Sequence, residues 1–223
     1  MLADGVHGLR IGPYTFERPW MLAPMAGVSD MPFRLIVRGM GAAAAPTGLI
    51  SCKGLLYAQA RTVRYLRHDD PCEHPFWVQL FGGDPDAMAA GAERAAQLGA
   101  RIIDVNMGCP VRKVTKSGGG VALMKDVTRA VRIVTSIRKR TGLPVTAKIR
   151  SGWDAGSINA VEFSKALADA GCAAVTVHAR TRAQGYSGRA DWSLIARVVQ
   201  AVSIPVIGNG DVFTPRDAHR MMA

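Results

Sequence analysis

Short apolar runs alternate with longer amphipathic segments along most of the chain. The apolar runs predict seven strands: Trp20–Ala23, Ala44–Ile50, Phe76–Phe81, Ile102–Asn106, Val145–Ile149, Ala174–His178 and Pro205–Gly208. The segments between them repeat apolar residues at helical spacing. Four clear examples are Asp84–Leu98, Val127–Arg140, Ile158–Ala170 and Trp192–Ala201. Because apolar strands that alternate with helices are typical of parallel sheets, the pattern predicts repeated β/α units.

Polar or small residues follow nearly every predicted strand. They are Pro24–Ala26, Gln79, Asn106–Cys109, Lys148, His178 and Asn209–Asp211. An open doubly wound sheet and a closed (β/α)8 barrel are both compatible with the alternation of elements. In a barrel, these positions share the carboxyl-terminal rim, where barrel enzymes have their active sites. We therefore favour an α/β fold of the TIM (β/α)8 type.

The two ends of the sequence modify this expectation. Residues 1–19 include "LRIGPYTFERPW", which predicts a small N-terminal hairpin that plugs the base of the barrel. Residues 20–223 form the predicted barrel domain, and "TPRDAHRMMA" lies in its seventh helix. Only seven strands are predicted, and a barrel of seven units would leave open sheet edges. We therefore expect that the eighth strand is missing from this chain.

Composition and charge narrow the choice of partner. The chain has 223 residues, 48% of them hydrophobic, which suits one domain with a sizeable core. Its formal net charge of +11 favours a polyanionic partner, with nucleic acid first, and a solvated basic surface is the alternative. No apolar run is long enough to span a bilayer, and the first residues lack a signal-peptide pattern. We therefore expect a cytoplasmic protein without membrane contact.

The four cysteines, Cys52, Cys72, Cys109 and Cys172, have spacings that fit no zinc motif. We predict no metal site, and we expect free thiols in a reducing cytosol. Cys109 lies in the longest insertion between predicted strands, within "NMGCPVRKVTKSGGGVALM". Long insertions at this rim are typical of functional loops, so Cys109 is a candidate site residue. The alternative is a small buried apolar side chain. The glycines of this stretch do not match the phosphate-loop pattern.

Several polar side chains at the predicted rim have more than one interpretation. Lys148 could meet a phosphate or an anionic cofactor ring, or it could be a surface lysine. His178 is a site candidate or a core histidine with satisfied hydrogen bonds. Gln79 stands within an apolar run and needs a buried partner. A loop from Arg180 to Trp192 interleaves cations with aromatic residues, which suits RNA as well as a solvated loop.

Taken together, these motifs resemble the tRNA-dihydrouridine synthases, and among them the bacterial B-like branch. The resemblance covers the chain from Leu22 to its end. Its most specific pieces, in chain order, are "LAPMAGVSDMPFR", "VQLFG", "DVNMGCPVRKVTKSGGG", "KIRSGWD", "VHARTRAQGYSGRADW" and "IPVIGNGD". Each piece alone is modest evidence, and their order makes the resemblance specific.

The resemblance implies a TIM barrel that binds FMN and reduces a uridine of tRNA to 5,6-dihydrouridine. Reduced FMN would pass a hydride to C6 of the uracil, and NADPH would reduce the FMN again. Cys109 would be the general acid that protonates C5, Asn106 would orient the uracil, and Arg180 would touch RNA. The residues implied in FMN binding are Pro24, Met25, Ala26, Gln79, Lys148, His178, Asn209, Gly210 and Asp211, with the last three at the ribityl-phosphate tail. No obligate protein partner is implied.

The sequence also departs from the family pattern. Gly48 stands where an acidic residue is common, and Val121 stands where a serine is common. The family's eighth strand and its helical C-terminal domain are expected to be missing, and we expect poor FMN retention from a chain that stops at Ala223. Two other functions therefore stay open: an FMN-dependent dehydrogenase of free pyrimidines, and a catalytically silent RNA-binding fragment.

Overall fold

A small antiparallel hairpin precedes the main sheet. The structure is a computed structural model that describes residues 8–69 and 71–222, with the side chain of Arg61 left out. Strands β1 (Leu9–Ile11) and β2 (Tyr14–Phe16) form the hairpin within the predicted N-terminal segment 1–19, of which residues 1–7 lie outside the described residues. Ile11 and Phe16 are buried with Trp77, Ile102 and Ala174, which begin later strands. The hairpin therefore packs at the amino-terminal ends of those strands.

The centre of the molecule is a six-stranded parallel sheet whose strands follow one another in chain order. Its strands are β3 (Ile50–Ser51), β4 (Trp77–Phe81), β5 (Ile102–Met107), β6 (Val145–Arg150), β7 (Ala174–His178) and β8 (Val206–Asn209). Helices separate the later strands and cover the outer face of the sheet. This arrangement is a TIM (β/α)8-type barrel fold, as the alternation of apolar runs predicts.

The helices begin and end where local chemistry favours it. They are α1 (Met31–Gly39), α2 (Cys52–Leu56), α3 (Ala60–Arg64), α4 (Pro85–Gln97), α5 (Arg112–Thr115), α6 (Val127–Thr141), α7 (Ala160–Asp169), α8 (Trp192–Ala201) and α9 (Pro215–Met222), with a 3-10 helix at Gly120–Lys125. The Asp84 carboxylate accepts a hydrogen bond from the N–H of Ala87 at 2.8 Å, which caps α4. Helices α4, α6, α7 and α8 lie within two residues of their predicted bounds.

The first two predicted strands are wrong in extent. Trp20–Ala23 contributes only a single bridge, from Met21 to Ala44, and the predicted strand Ala44–Ile50 is reduced to that bridge and β3. Pro46 explains the interruption of the second predicted strand, because proline has no N–H to donate to a ladder. Pro24 follows the first predicted strand directly. Irregular backbone therefore enters the rim on this side.

Side chains of the later strands alternate between two faces. On β5, Ile103, Val105 and Met107 belong to the outer hydrophobic core, while Asp104 and Asn106 occupy the alternate positions. The same period of two applies to β4, β6 and β7. The polar residues at their alternate positions are Gln79 on β4, Thr146, Lys148 and Arg150 on β6, and Thr176 and His178 on β7. Polar side chains thus share the inner face of the barrel. Among the described helices, none has both the length and the apolar character of a membrane span.

Candidate active site

A cleft of about 360 Å³ opens at the carboxyl-terminal ends of the strands. Its lining residues are Pro24, Met25, Ala26, Leu49, Gln79, Asn106, Gly108, Cys109, Pro110, Val111, Lys148, Ile149, Arg150, His178 and Tyr186. The lining includes eight of the residues singled out in the sequence: Pro24, Met25, Ala26, Gln79, Asn106, Cys109, Lys148 and His178. Asn209, Gly210, Asp211 and Arg180 lie outside this lining. The strand-end positions therefore converge as the barrel prediction requires.

Strand register explains this convergence. Gln79 pairs with Asp104, Asn106 pairs with Lys148, and Lys148 lies two residues before Arg150, which pairs with His178. Neighbouring parallel strands lie about 4.8 Å apart, so side chains at paired inner positions come within contact distance of each other. The sheet itself therefore positions Gln79, Asn106, Lys148, Arg150 and His178 in the cleft.

Two amides and one carboxylate form a buried network on the β4–β5 side, which we call the amide network (Asp104, Gln79 and Asn106). The Gln79 side-chain amide donates from Nε2 to Asp104 Oδ2 at 2.7 Å. Its Oε1 accepts from Asn106 Nδ2 at 3.0 Å. Asn106 Oδ1 in turn accepts the backbone N–H groups of Cys109, at 2.9 Å, and Gly108, at 3.3 Å. Gln79 therefore has the buried partner that the sequence requires.

The segment after β5, residues 108–125, is called the cysteine loop below. Cys109 is partly exposed in the cleft, and its carbonyl oxygen accepts the backbone N–H of Val121 at 3.1 Å. A side chain at Gly120 would meet that same carbonyl oxygen, because a Cβ there would lie 2.6 Å from it, and Gly120 also has a φ of +60°. The third glycine of the run thus lets the loop close tightly behind the thiol.

Cationic side chains dominate the β6–β7 side of the cleft. Lys148 Nζ donates to the neutral amide oxygen of Asn209 at 2.7 Å, and burial lowers the pKa of Lys148 to about 8. The pKa of His178 is lowered to about 3, first by burial and then by the charges of Lys148, Arg150 and Arg180. His178 is therefore neutral at physiological pH, and the net charge of this side is positive.

Arg150 is a functional candidate that the sequence analysis missed. Its guanidinium donates to the carbonyl oxygens of Gly108 at 3.0 Å, Thr181 at 2.9 Å and Gly185 at 2.9 Å. It also lies 5.7 Å from the ring centroid of Tyr186, a side chain that is 81% exposed at the rim. The alternating pattern of "VTAKIR" would have predicted that Arg150 shares an inner face with Lys148.

The loop after β7, residues 179–191, is called the arginine loop below. Arg180 belongs to it, and its side chain lies beneath the rest of the loop. The side chain is almost completely buried and donates to the carbonyl oxygens of Ser187 at 3.2 Å and Gly188 at 2.8 Å. It also forms an ion pair with Asp211 at 2.7 Å. A contact between Arg180 and RNA stays a prediction, and its burial favours a role in stabilising the loop.

Asn209, Gly210 and Asp211 form a turn that packs on the arginine loop. Gly210 has a φ of +114°, and a Cβ there would lie 2.9 Å from the Ala190 side chain. Asp211 Oδ2 accepts the backbone N–H of Ala190, which is the first cause of the lowered pKa of Asp211. This turn therefore lies beside Lys148 and His178 without lining the cleft.

A second cationic and aromatic cluster lies outside the cleft, between the two loops. Two cations contact the ring of Trp153. Lys125 Nζ lies 4.5 Å and Arg182 Cζ lies 4.7 Å from the ring centroid. Lys125 ends the cysteine loop and Arg182 belongs to the arginine loop. Both cations are exposed, so the surface beside the cleft is basic.

Comparison with protein families adds an independent line of evidence. The family model described as dihydrouridine synthase matches residues 21–223. The chain is 45% identical over 207 residues to a probable tRNA-dihydrouridine synthase 1 of Synechocystis, covering 92% of the chain and 58% of that relative. It is 42% identical over 214 residues to tRNA-dihydrouridine synthase B of Pseudomonas aeruginosa, covering 96% and 64%. The chain therefore spans about six-tenths of the length of these curated relatives.

Solved structures agree with the fold. A 2-naphthoyl-CoA reductase in complex with 2-naphthoyl-CoA aligns with a TM-score of 0.73 at 12% identity, covering 96% of this chain and 47% of the other. A morphinone reductase in complex with tetrahydroNAD aligns with a TM-score of 0.62 at 11% identity, covering 97% and 83%. At these identities the likeness shows the architecture alone.

Proposed function

The chain belongs to the dihydrouridine synthase family, and from that premise we propose that it is the catalytic barrel of a flavin-dependent enzyme that reduces a uridine of tRNA to 5,6-dihydrouridine. The observation that carries the proposal is the placement of Cys109. Its thiol lines the same cleft as the cationic Lys148 and Arg150 and the neutral His178, and Arg150 donates to the carbonyl oxygen of the adjacent Gly108 at 3.0 Å. A proton donor in a cleft that also carries cationic groups suits the reduction of an electron-poor ring.

The cleft fits a flavin, which we propose to be FMN. Among the described residues that line it, none is acidic, and its charged groups are Lys148 and Arg150. Lys148 has a neutral hydrogen-bond partner and a pKa lowered to about 8 by burial, so an anionic ring would stabilise its charge. Pro24, Met25 and Ala26 add an apolar wall. We propose that Asn209, Gly210 and Asp211 contact the ribityl-phosphate tail.

In this proposal each residue has a defined task. A flavin held in the cleft and reduced by NADPH would supply the hydride for C6 of the target uracil. Cys109 donates its thiol proton to C5. Asn106 Oδ1 accepts a hydrogen bond from the cysteine loop, and one N–H of its amide donates to Gln79. The second N–H is therefore the donor that remains for a uracil carbonyl oxygen. Lys148 stabilises negative charge at the cleft floor.

A tRNA partner is proposed from charge and surface chemistry. The formal net charge is +11, and the Lys125–Trp153–Arg182 cluster places two exposed cations beside the cleft. Phosphates pair with such cations, and a uracil must leave the base stack to enter a cleft at the strand ends. We place the reaction in the cytoplasm, where unmodified tRNA is made.

Substrate competition tests the proposal. Purified protein is incubated with FMN and NADPH and offered either unmodified tRNA or free uracil and uridine. We expect a flavin absorption spectrum and NADPH oxidation that depends on tRNA. Turnover of free pyrimidines without turnover of tRNA would favour the pyrimidine dehydrogenase instead. A protein that binds tRNA but takes up no flavin would identify a silent RNA-binding fragment.

A further inference from the structure

Asp104 is a buried carboxylate that lies one layer below the cleft. It is 3% exposed and does not line the cleft itself. Oδ1 accepts a hydrogen bond from the Thr146 hydroxyl at 2.6 Å, and Oδ2 accepts one from Gln79 Nε2 at 2.7 Å. Both partners are 1% exposed, so neither hydrogen bond lies in bulk solvent.

The direction of every hydrogen bond in the amide network follows from this carboxylate. Burial raises the pKa of Asp104 to about 6, so the group is ionised at neutral pH and can only accept. Gln79 must therefore turn its NH2 group to Asp104 and its oxygen to Asn106. Asn106 must then turn its own NH2 group to Gln79 and its oxygen to the backbone N–H groups of Gly108 and Cys109.

We propose that Asp104 is a positioning residue that fixes the orientation of both amides and, through them, the position of the cysteine loop. For catalysis this inference rests on the proposed function. Asp104 does not line the cleft, and its hydrogen bonds reach the cysteine loop through Gln79 and Asn106. Its charge also acts on Lys148, and Gln79→Met leaves that interaction in place. If Asn106 turned over, its NH2 group would face the two backbone N–H groups of the loop, and the loop would have to move.

Three variants separate positioning from general stability. Asp104→Leu removes the acceptor, and Gln79→Met cuts the link between Asp104 and Asn106 with a side chain of similar size. Thr146→Val is the matched control, because it removes a hydrogen bond to the other oxygen of Asp104 and leaves the amide network intact. The double variant with Asp104→Leu and Gln79→Met tests whether the two residues act along one path.

Alkylation of Cys109 by iodoacetamide is the first measurement, and it needs neither flavin nor tRNA. Rates are read by mass spectrometry of the Cys109 peptide, with the exposed Cys72 of the same molecule as internal reference. We expect Cys109 to react about fivefold faster in Asp104→Leu and in Gln79→Met, because the loop loses hydrogen bonds, with no further gain in the double variant. Thr146→Val should match the wild type.

Equal Cys109 rates in wild type and Gln79→Met would overturn the proposal. Additive effects in the double variant, or an equally large effect of Thr146→Val, would also overturn it, since either shows a general loss of packing. If Asp104→Leu does not fold, Gln79→Met against Thr146→Val decides the question in the same way.

Reduction of tRNA in a single turnover is the second measurement. With pre-reduced flavin, Gln79→Met and Asp104→Leu should lower the maximal rate about a hundredfold, as expected for a displaced proton donor, and tRNA affinity should stay close to that of the wild type. A change in tRNA affinity at an unchanged maximal rate would contradict positioning. Absence of dihydrouridine in the wild-type reaction would remove the proposed function, and the alkylation result would still decide the role of Asp104.

Discussion

The cysteine loop and the arginine loop meet beside one cleft, and most of the hydrogen bonds that stabilise them differ in chemistry. In the cysteine loop, the neutral amide of Asn106 accepts backbone N–H groups, and tight glycine packing completes the contact. In the arginine loop, Arg150 and Arg180 donate to backbone carbonyl oxygens, and Asp211 pairs with Arg180. Arg150 of β6 joins the two loops, because it also donates to the carbonyl oxygen of Gly108. Hydrogen bonds to the side-chain amide of Asn106 position the backbone of the proposed proton donor. The guanidinium groups each donate to several carbonyl oxygens and make their side of the cleft positive.

The largest expected effect belongs to the cysteine loop. Cys109→Ala should slow reduction of tRNA about a thousandfold, because general acids contribute on that order to rate. NADPH oxidation with an artificial electron acceptor should stay near the wild-type rate, since Cys109 has no part in reducing the flavin. Stopped-flow absorption of the flavin measures both half-reactions. Unimpaired tRNA reduction in this variant would refute the role of Cys109.

Breaking the ion pair of the arginine loop should cost stability. Arg180→Met leaves Asp211 without its cationic partner, and we expect the free energy of unfolding to fall by about 3 kcal/mol. Urea unfolding measures this loss. Arg182→Met is the matched control, because that side chain is exposed and contacts Trp153, and it should cost less than about 1 kcal/mol. Equal losses would show that burial of Arg180 contributes little.

The charged side of the cleft can be tested by the affinity for FMN after substitution of Lys148. Lys148→Met should weaken FMN binding about tenfold, the size expected when one charge-assisted hydrogen bond is lost. Equilibrium dialysis with FMN measures the change, and Lys125→Met controls for overall charge at an exposed position. The same loss in both variants would indicate long-range attraction and no direct contact.

The smallest expected effect is a pH dependence on the charged side. The pKa of His178 is about 3 in the folded chain, against 6.5 for an unperturbed histidine, so between these values the unfolded state binds the extra proton. Stability that His178 contributes is therefore lost as pH falls below about 6.5, by about 1 kcal/mol from about pH 7 to about pH 5.5.

His178→Gln should remove this loss, and comparison of urea unfolding of the two proteins isolates it. Asp104 opposes the effect, because its raised pKa of about 6 stabilises the fold on acidification. Asp104 is common to both proteins and cancels in the difference. Charged groups whose interaction with His178 shifts its pKa are Lys148, Arg150, Arg180 and Asp211. Identical slopes would mean that the pKa of His178 is the same in the folded and unfolded states.

The sequence predicts the fold better than it predicts the contacts inside it. The alternation of apolar runs and amphipathic segments is sufficient to predict the order of the later strands and helices. The positions of Gln79, Cys109 and Lys148 relative to the strands are sufficient to predict that these residues line one cleft. The first two strands are predicted too long, and in the second of them Pro46 interrupts the ladder hydrogen bonds.

Asp104 and Arg150 show what a finer interpretation of the sequence would add. Both stand in apolar strands at alternate positions, and the period of two marks them as inner-face residues. The pairing of Arg180 with Asp211 joins residues 31 positions apart, and nothing in local pattern specifies it. Such contacts depend on how the loops fold over the sheet.

Product analysis tests the central claim most directly. Unmodified tRNA is treated with the protein, FMN and NADPH, digested to nucleosides and examined by mass spectrometry, with Cys109→Ala in parallel. The account predicts a uridine that is two hydrogens heavier in the wild-type reaction, and almost none with the variant. Wild-type protein that binds FMN and oxidises NADPH but leaves every uridine unreduced would contradict it, as would equal product from both proteins.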